Sequence, residues 1–125
     1  NFLESWEDKY QYLIDMGRQL DPIDEKLKND ENRLHGCQST VHFVANENKD
    51  GTLVFLAESD AFIVQGLIAL LLTVYSNSSP KEILNVDISF LDKIGLQSHL
   101  SPTRKNGLHS MINKINYEAR IRLNK

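Results

Sequence analysis

A chain of 125 residues, 41% apolar and 25% charged, has the size and composition of one ordinary globular domain spanning 1–125, which argues against wholesale disorder. Its formal net charge of −3 disfavours a general binder of nucleic acid or of anionic membrane. The longest apolar stretch, Gly66 to Tyr75, is too short to span a bilayer and reads as a buried helix.

Apolar side chains at Trp6, Tyr10, Leu13, Ile14, Gly17 and Leu20 form one stripe of an amphipathic helix over Leu3 to Leu20, with Ser5 as its candidate cap. Asp21-Pro22 ends it, because the residue before a proline leaves the α region. The charged run Asp24 to Asn32 lacks periodicity and reads as a solvated loop. Gln38 to Ala45 and Thr52 to Ala57 alternate around the turn signal Asn48-Lys49-Asp50-Gly51, which predicts an antiparallel hairpin. Val41, Phe43 and Ala45 share one face with Leu53, Phe55 and Ala57. A third short strand is expected from Arg33 to His35 or from Val86 to Ile88. Ser59-Asp60 opens a helix to about Tyr75, with Asp60 as N-cap, and its nearly all-round apolarity makes it the central one. Asn77 to Pro80 breaks it, and Pro80 begins a short helix to Leu84. Phe90 to Ile94 is another short helix, stopped by Gly95. Ser101-Pro102 starts the last helix, whose buried stripe is Leu108, Met111, Ile112, Ile115 and Ala119. The predicted fold is α+β: a small antiparallel β-sheet packed with helices in a single domain.

Cys37 is the only cysteine. It permits no intrachain disulfide, CxxC redox pair or thiolate cage for a metal. Lying after Gly36 at the start of a strand-like run, it sits on a turn, where a partner can reach it. Arg33 and His35 are the local cations that favour its thiolate, Arg104 is one that the fold could bring in, and Gln38, Ser39 and Thr40 can hydrogen-bond a sulfur anion. The bland alternative is a small buried hydrophobe. His35 and Cys37 stand two apart and point the same way on an extended chain, as in a Cys–His hydrolase, but such pairs are rarely this close in sequence. His35, Cys37 and His42 make an incomplete metal set, so neither metal nor bound cofactor is expected. No export signal is visible, and with a lone thiol this points to the reducing cytoplasm.

His35-Gly36-Cys37-Gln38-Ser39-Thr40-Val41 resembles the GCQS-x-V signature of the SufE family of sulfur acceptors. Ser59 to Leu67 resembles that family's S-D/E-x-x-I-V-x-G-L helix start, and Leu100 to Leu108 its L-S/T-P-S/T-R-x-x-G-L segment. The three blocks keep order and spacing, and the opening Trp6-x-x-Lys9-Tyr10 agrees. The resemblance implies a fold shared with IscU-type scaffolds. It implies a carrier that takes persulfide sulfur onto Cys37 from a PLP-dependent desulfurase of the SufS or CsdA type, stimulates that enzyme, and passes sulfur to a SufBCD-like iron–sulfur scaffold. PLP then belongs to the partner, and the carrier is an activator more than a stand-alone enzyme, monomeric or homodimeric. A module that binds and activates without carrying sulfur is the alternative. Cys37 is the catalytic candidate; His35, Gly36, Gln38, Ser39, Asp60 and Arg104 are the supporting ones. Asp60 is read as a helix cap or as a residue that steadies the cysteine loop. Arg104, misplaced against the dipole in a first helical turn, is read as the ion-pair partner of Asp60 or another acid, or as a contact at the partner surface. The run Val41-His42-Phe43 and residue Gln65 depart from the family pattern and bear on which desulfurase is the partner.

Overall fold

The fold starts from two helices whose backbones touch. In the computed structural model, which describes residues 6–35, 40–93, 95 and 100–123, helix α1 spans Trp6–Arg18 and helix α2 spans Phe62–Tyr75. A side chain at Gly17 would meet the Gly66 nitrogen at 2.8 Å, and one at Gly66 would meet the Leu13 carbonyl carbon at 2.6 Å. Only glycine permits that approach. The expected start of α1 at Leu3 and its cap at Ser5 lie outside the described residues. The helix ends at Arg18, short of Asp21-Pro22, because the amides of Gln19 and Leu20 close tightened turns onto Met16 and Gly17.

The segment expected to be a plain loop instead folds into two single 3₁₀ turns, Glu25–Leu27 and Asp30–Asn32. The Asp24 carboxylate accepts from the Lys26 amide, and the Asn29 side-chain carbonyl oxygen accepts from the Asn32 amide. Short polar side chains nucleate such turns without any apolar periodicity. Ile23, just before them, is buried in the core.

Strands β1 (Val41–Glu47) and β2 (Leu53–Ser59) pair antiparallel in a register that sets Val41 opposite Ser59 and Glu47 opposite Leu53. At the turn, Gly51 takes φ 88° and Asp50 accepts from both the amide and the hydroxyl of Thr52. Val41, Phe43, Leu53, Phe55 and Ala57 face the core, with the two phenylalanine rings 5.5 Å apart. Of the two candidate third strands, Arg33 supplies an isolated bridge to His42, and Val86 to Ile88 forms no strand. The outer edge of β2 is closed by the Asn77–Ser78 loop: Asn77 donates to Leu53 O and Leu53 donates to Ser78 O. Asn77 adopts φ 63°, a left-handed conformation that asparagine tolerates.

Helix α2 packs against α1, β2 and the last helix, as its apolar surface predicts. Ala61, and not Asp60, is its N-cap residue, and no side chain caps it. Helix α3 (Pro80–Leu84) begins with a Ser79–Glu82 capping box. Helix α4 (Phe90–Lys93) is followed by the described Gly95 at φ 73°, while Ile94 lies outside the described residues. Helix α5 (Pro102–Leu123) buries Leu108, Met111, Ile112, Ile115 and Ala119, the predicted stripe. Among the described residues no helix is long and apolar enough to cross a membrane.

Candidate functional site

Gly36, Cys37, Gln38 and Ser39 lie outside the described residues; the chain on either side is described. Leu34 donates to Val41 O at 2.8 Å, so the two arms leading to the segment are hydrogen-bonded to each other. His35 is exposed at one arm. At the other, Thr40 and Asp60 exchange two bonds. The Thr40 amide donates to Asp60 Oδ1 at 3.2 Å, and the Asp60 amide donates to Thr40 O at 3.3 Å. This extends the hairpin ladder one step beyond Val41–Ser59 and ties the return of the cysteine segment to the start of α2.

That use of the carboxylate explains why Asp60 is not the helix cap. Its side chain turns back toward β1, and the neighbouring side chains bond amides that precede the helix. Ser59 Oγ accepts from the Ala61 amide, and Gln65 Oε1 accepts from the Ser59 amide at 2.8 Å. Gln65 also places its Nε2 at 3.5 Å from Gly17 O, at the end of α1. The residue that departs from the family pattern thus joins the end of β2 to the α1–α2 crossing. Of the two sequence readings of Asp60, capping is not what the structure shows; its carboxylate accepts instead from the Thr40 amide.

Arg104 does not pair with Asp60. Its Nη1 donates to the Tyr10 hydroxyl at 2.8 Å, and its guanidinium stands 6.0 Å from the Tyr10 ring centroid. The N-terminal portions of α1 and α5 bring this pair together across 94 residues, which neither segment signals locally. The main-chain amide of Arg104 donates to Ser101 Oγ, which caps α5. Between the first turns of α2 and α5 lies a groove of about 450 Å³, lined by Ile63, Val64, Leu67, Thr103, Arg104 and Met111.

Sequence reasoning missed Glu58. Its Oε1 accepts from the Ile23 amide at 2.9 Å, and its Oε2 pairs with Lys28 Nζ at 2.6 Å. Lys28 also reaches Glu25. The hydrogen bond from Lys28 holds the Glu58 carboxyl below its ordinary range, against the effect of burial, with the Ile23 amide assisting. These bonds fasten the 3₁₀ segment to the outer face of β2. The alternating run expected over Thr52 to Ala57 stops one residue short of Glu58, and its partners lie 30 and 35 residues away, Lys28 within a run without periodicity.

His42 stands opposite Glu58 on β1, whereas His35 lines a second groove, between β1 and α5, with Arg33, Phe43 and Lys114. Among the described residues no group of three or more His, Cys, Asp or Glu side chains is placed to hold a metal ion. The Cys–His and metal readings both involve Cys37, which lies outside them.

Residues 1–119 match the family model described as SufE: Fe-S metabolism associated domain. An uncharacterized SufE-like protein of Rhizobium meliloti (strain 1021) is 43% identical over 126 residues, covering 98% of this chain and 90% of that protein. The solution structure of a hypothetical protein from Thermus thermophilus superposes with a TM-score of 0.79 at 22% identity, covering 98% of this chain and 89% of that one. The latter likeness shows the α+β fold.

Proposed function

The chain belongs to the SufE family of Fe-S metabolism domains, and from that premise we propose that it is a sulfur carrier whose acceptor is Cys37. The thiolate of Cys37 attacks the outer sulfur of a persulfide on the active-site cysteine of a PLP-dependent desulfurase, of the SufS or CsdA type. A new S–S bond forms at Cys37 while the donor's S–S bond breaks. The donor cysteine leaves as a thiolate, and the proton stays on the terminal sulfur. Two cysteines exchange one sulfane atom, so no outside oxidant or reductant is needed. A second exchange of the same kind passes the sulfur to an iron–sulfur assembly scaffold, and docking of the carrier stimulates the desulfurase. PLP chemistry stays in the donor; this chain supplies the nucleophile and its mounting.

The observation that carries the reading is the position of the chain's single thiol, inside the family match and in a segment whose flanks are tied by Leu34–Val41 and Thr40–Asp60. Such a mounting holds the flanks while a partner works on the residues between them.

Incubation with desulfurase and free cysteine, followed by alkylation and peptide mapping, is expected to find an added sulfur on Cys37. Cys37→Ser is expected to abolish loading. An unmodified Cys37 beside a fully loaded donor overturns the proposal. Stimulation of the desulfurase that survives Cys37→Ser, with no sulfur found on the wild-type chain, supports an activating module in its place.

A further inference from the structure

Phe62 is 76% exposed in the first turn of α2. An aromatic ring left in water forgoes the burial that favours folding, so no packing among the described residues accounts for it. Scattered apolar residues on a surface are ordinary, but this one is not isolated. Immediately beside it, Ala61 borders two grooves. One is the 450 Å³ groove that runs over Ile63, Val64 and Leu67 toward α5. The other, of about 340 Å³ and lined by Phe62 itself, runs over Ile14, Leu20 and Pro22 toward the end of α1. Phe62 therefore stands beside two neighbouring grooves, each lined by apolar side chains together with charged ones: Asp60 and Arg18 in one, Arg104 in the other. That is the make-up of a protein interface, an aromatic anchor with apolar and charged groups beside it.

The position of these grooves relative to the thiol identifies what covers them. Cys37 stands three residues before Thr40, so at most about 11 Å of chain separates them. Thr40 is hydrogen-bonded to Asp60, and Phe62 lies two residues on, at most about 7 Å of chain away. A standard interface takes about 800 Å² from each partner, a disc roughly 32 Å across. A protein whose own cysteine must reach Cys37 thus has room to cover Phe62 in the same encounter.

We propose that Phe62 is the docking anchor for the sulfur donor, inserting into an apolar recess beside the donor's persulfide cysteine. This rests on the sulfur-carrier reading and adds the residue that fixes the encounter. Anchoring at a site away from the reacting atoms acts on how much carrier is needed, not on the exchange once docked.

The test uses whichever desulfurase type, SufS or CsdA, loads the wild-type chain. Phe62→Ala is expected to raise the carrier concentration for half-maximal desulfurase stimulation at least tenfold, equivalent to about 1.4 kcal/mol. At saturation, the rate and the loading of Cys37 should match wild type. Phe62→Leu should recover part of the loss. Tyr117→Ala, which removes another half-exposed ring on the distal half of α5, should change neither quantity. Thermal unfolding of Phe62→Ala at the wild-type temperature shows that the fold is kept. A half-maximal concentration within twofold of wild type, with the wild type loaded, overturns the anchor alone. A wild-type chain that neither enzyme loads overturns the carrier reading and the anchor together.

Discussion

The α1–α2 crossing and the mouth of the β1–β2 hairpin lie next to each other and are built on opposite principles. The crossing is backbone against backbone, with Gly17 and Gly66 in contact and Leu13 beside them. It contains no charge and little that can yield. The hairpin mouth is held by single polar contacts: Thr40 to Asp60, Leu34 to Val41, Ile23 and Lys28 to Glu58. Each is worth on the order of 1 kcal/mol and can be broken without disturbing the core. Close packing thus fixes the frame, while the described flanks of the hairpin mouth are joined by separate polar contacts.

The sharpest way to break this contrast is to add one methyl group at the crossing. Helix propensity alone predicts that Gly66→Ala stabilises α2 by about 1 kcal/mol. The geometry predicts the opposite sign, because the new carbon meets main-chain atoms of Leu13 that cannot rotate away. Overpacking against backbone outweighs the propensity gain, and a net loss of about 2 kcal/mol is expected. Urea unfolding measures it; a raised midpoint would mean that the helices separate easily and that the frame is not rigid.

The two regions also differ in how much of them the sequence discloses. The apolar stripes of α5 and the alternation of the hairpin are local, periodic patterns, and each residue placed in the core of α5 is there. The capping box at Ser79 and the αL glycine at Gly51 are read from a few neighbouring residues. The mouth is different. Asp60 resembles an N-cap because it follows a strand and precedes an apolar run, yet its acceptor is spent on an amide 20 residues back. Arg104 finds Tyr10, and Glu58 finds Lys28, through tertiary packing that no spacing rule encodes. The family blocks locate Cys37, but the bonds of the described residues beside it, Thr40 to Asp60 and Leu34 to Val41, follow only from the fold.

Asp60→Ala separates the two roles of that residue. It removes the acceptor at Thr40 and is expected to cost about 1 kcal/mol, with Asp60→Asn retaining most of the bond through its amide oxygen. Hydrogen exchange gives the location. If Asp60 steadies the cysteine segment, the Thr40 amide accelerates in Asp60→Ala while the amides of Ile63 and Val64 are unchanged. Acceleration at Ile63 and Val64 with Thr40 protected would restore the capping role and show that the carboxylate bond to Thr40 does not hold the mouth.

The smallest effect is the one that pH controls. Glu58 titrates below its usual 4.5, chiefly through the hydrogen bond from Lys28. A carboxylate whose folded value is depressed stabilises the fold above its unfolded value, and that contribution is lost as pH falls through the folded one. Glu58→Gln keeps an acceptor for the Ile23 amide but loses the ion pair, and at pH 7 it should cost under about 1 kcal/mol because the pair is partly solvated. The difference between Glu58→Gln and wild type should be full at neutral pH and should shrink to nothing as the pH drops below the usual 4.5 and through the depressed folded value. The crossing of α1 and α2, which contains no titratable group at its contact, should make no such contribution: the loss caused by Gly66→Ala should stay constant over the same range. A Glu58→Gln penalty that is flat with pH would show that the Lys28 pair contributes nothing and that the Ile23 bond alone holds the 3₁₀ segment to β2.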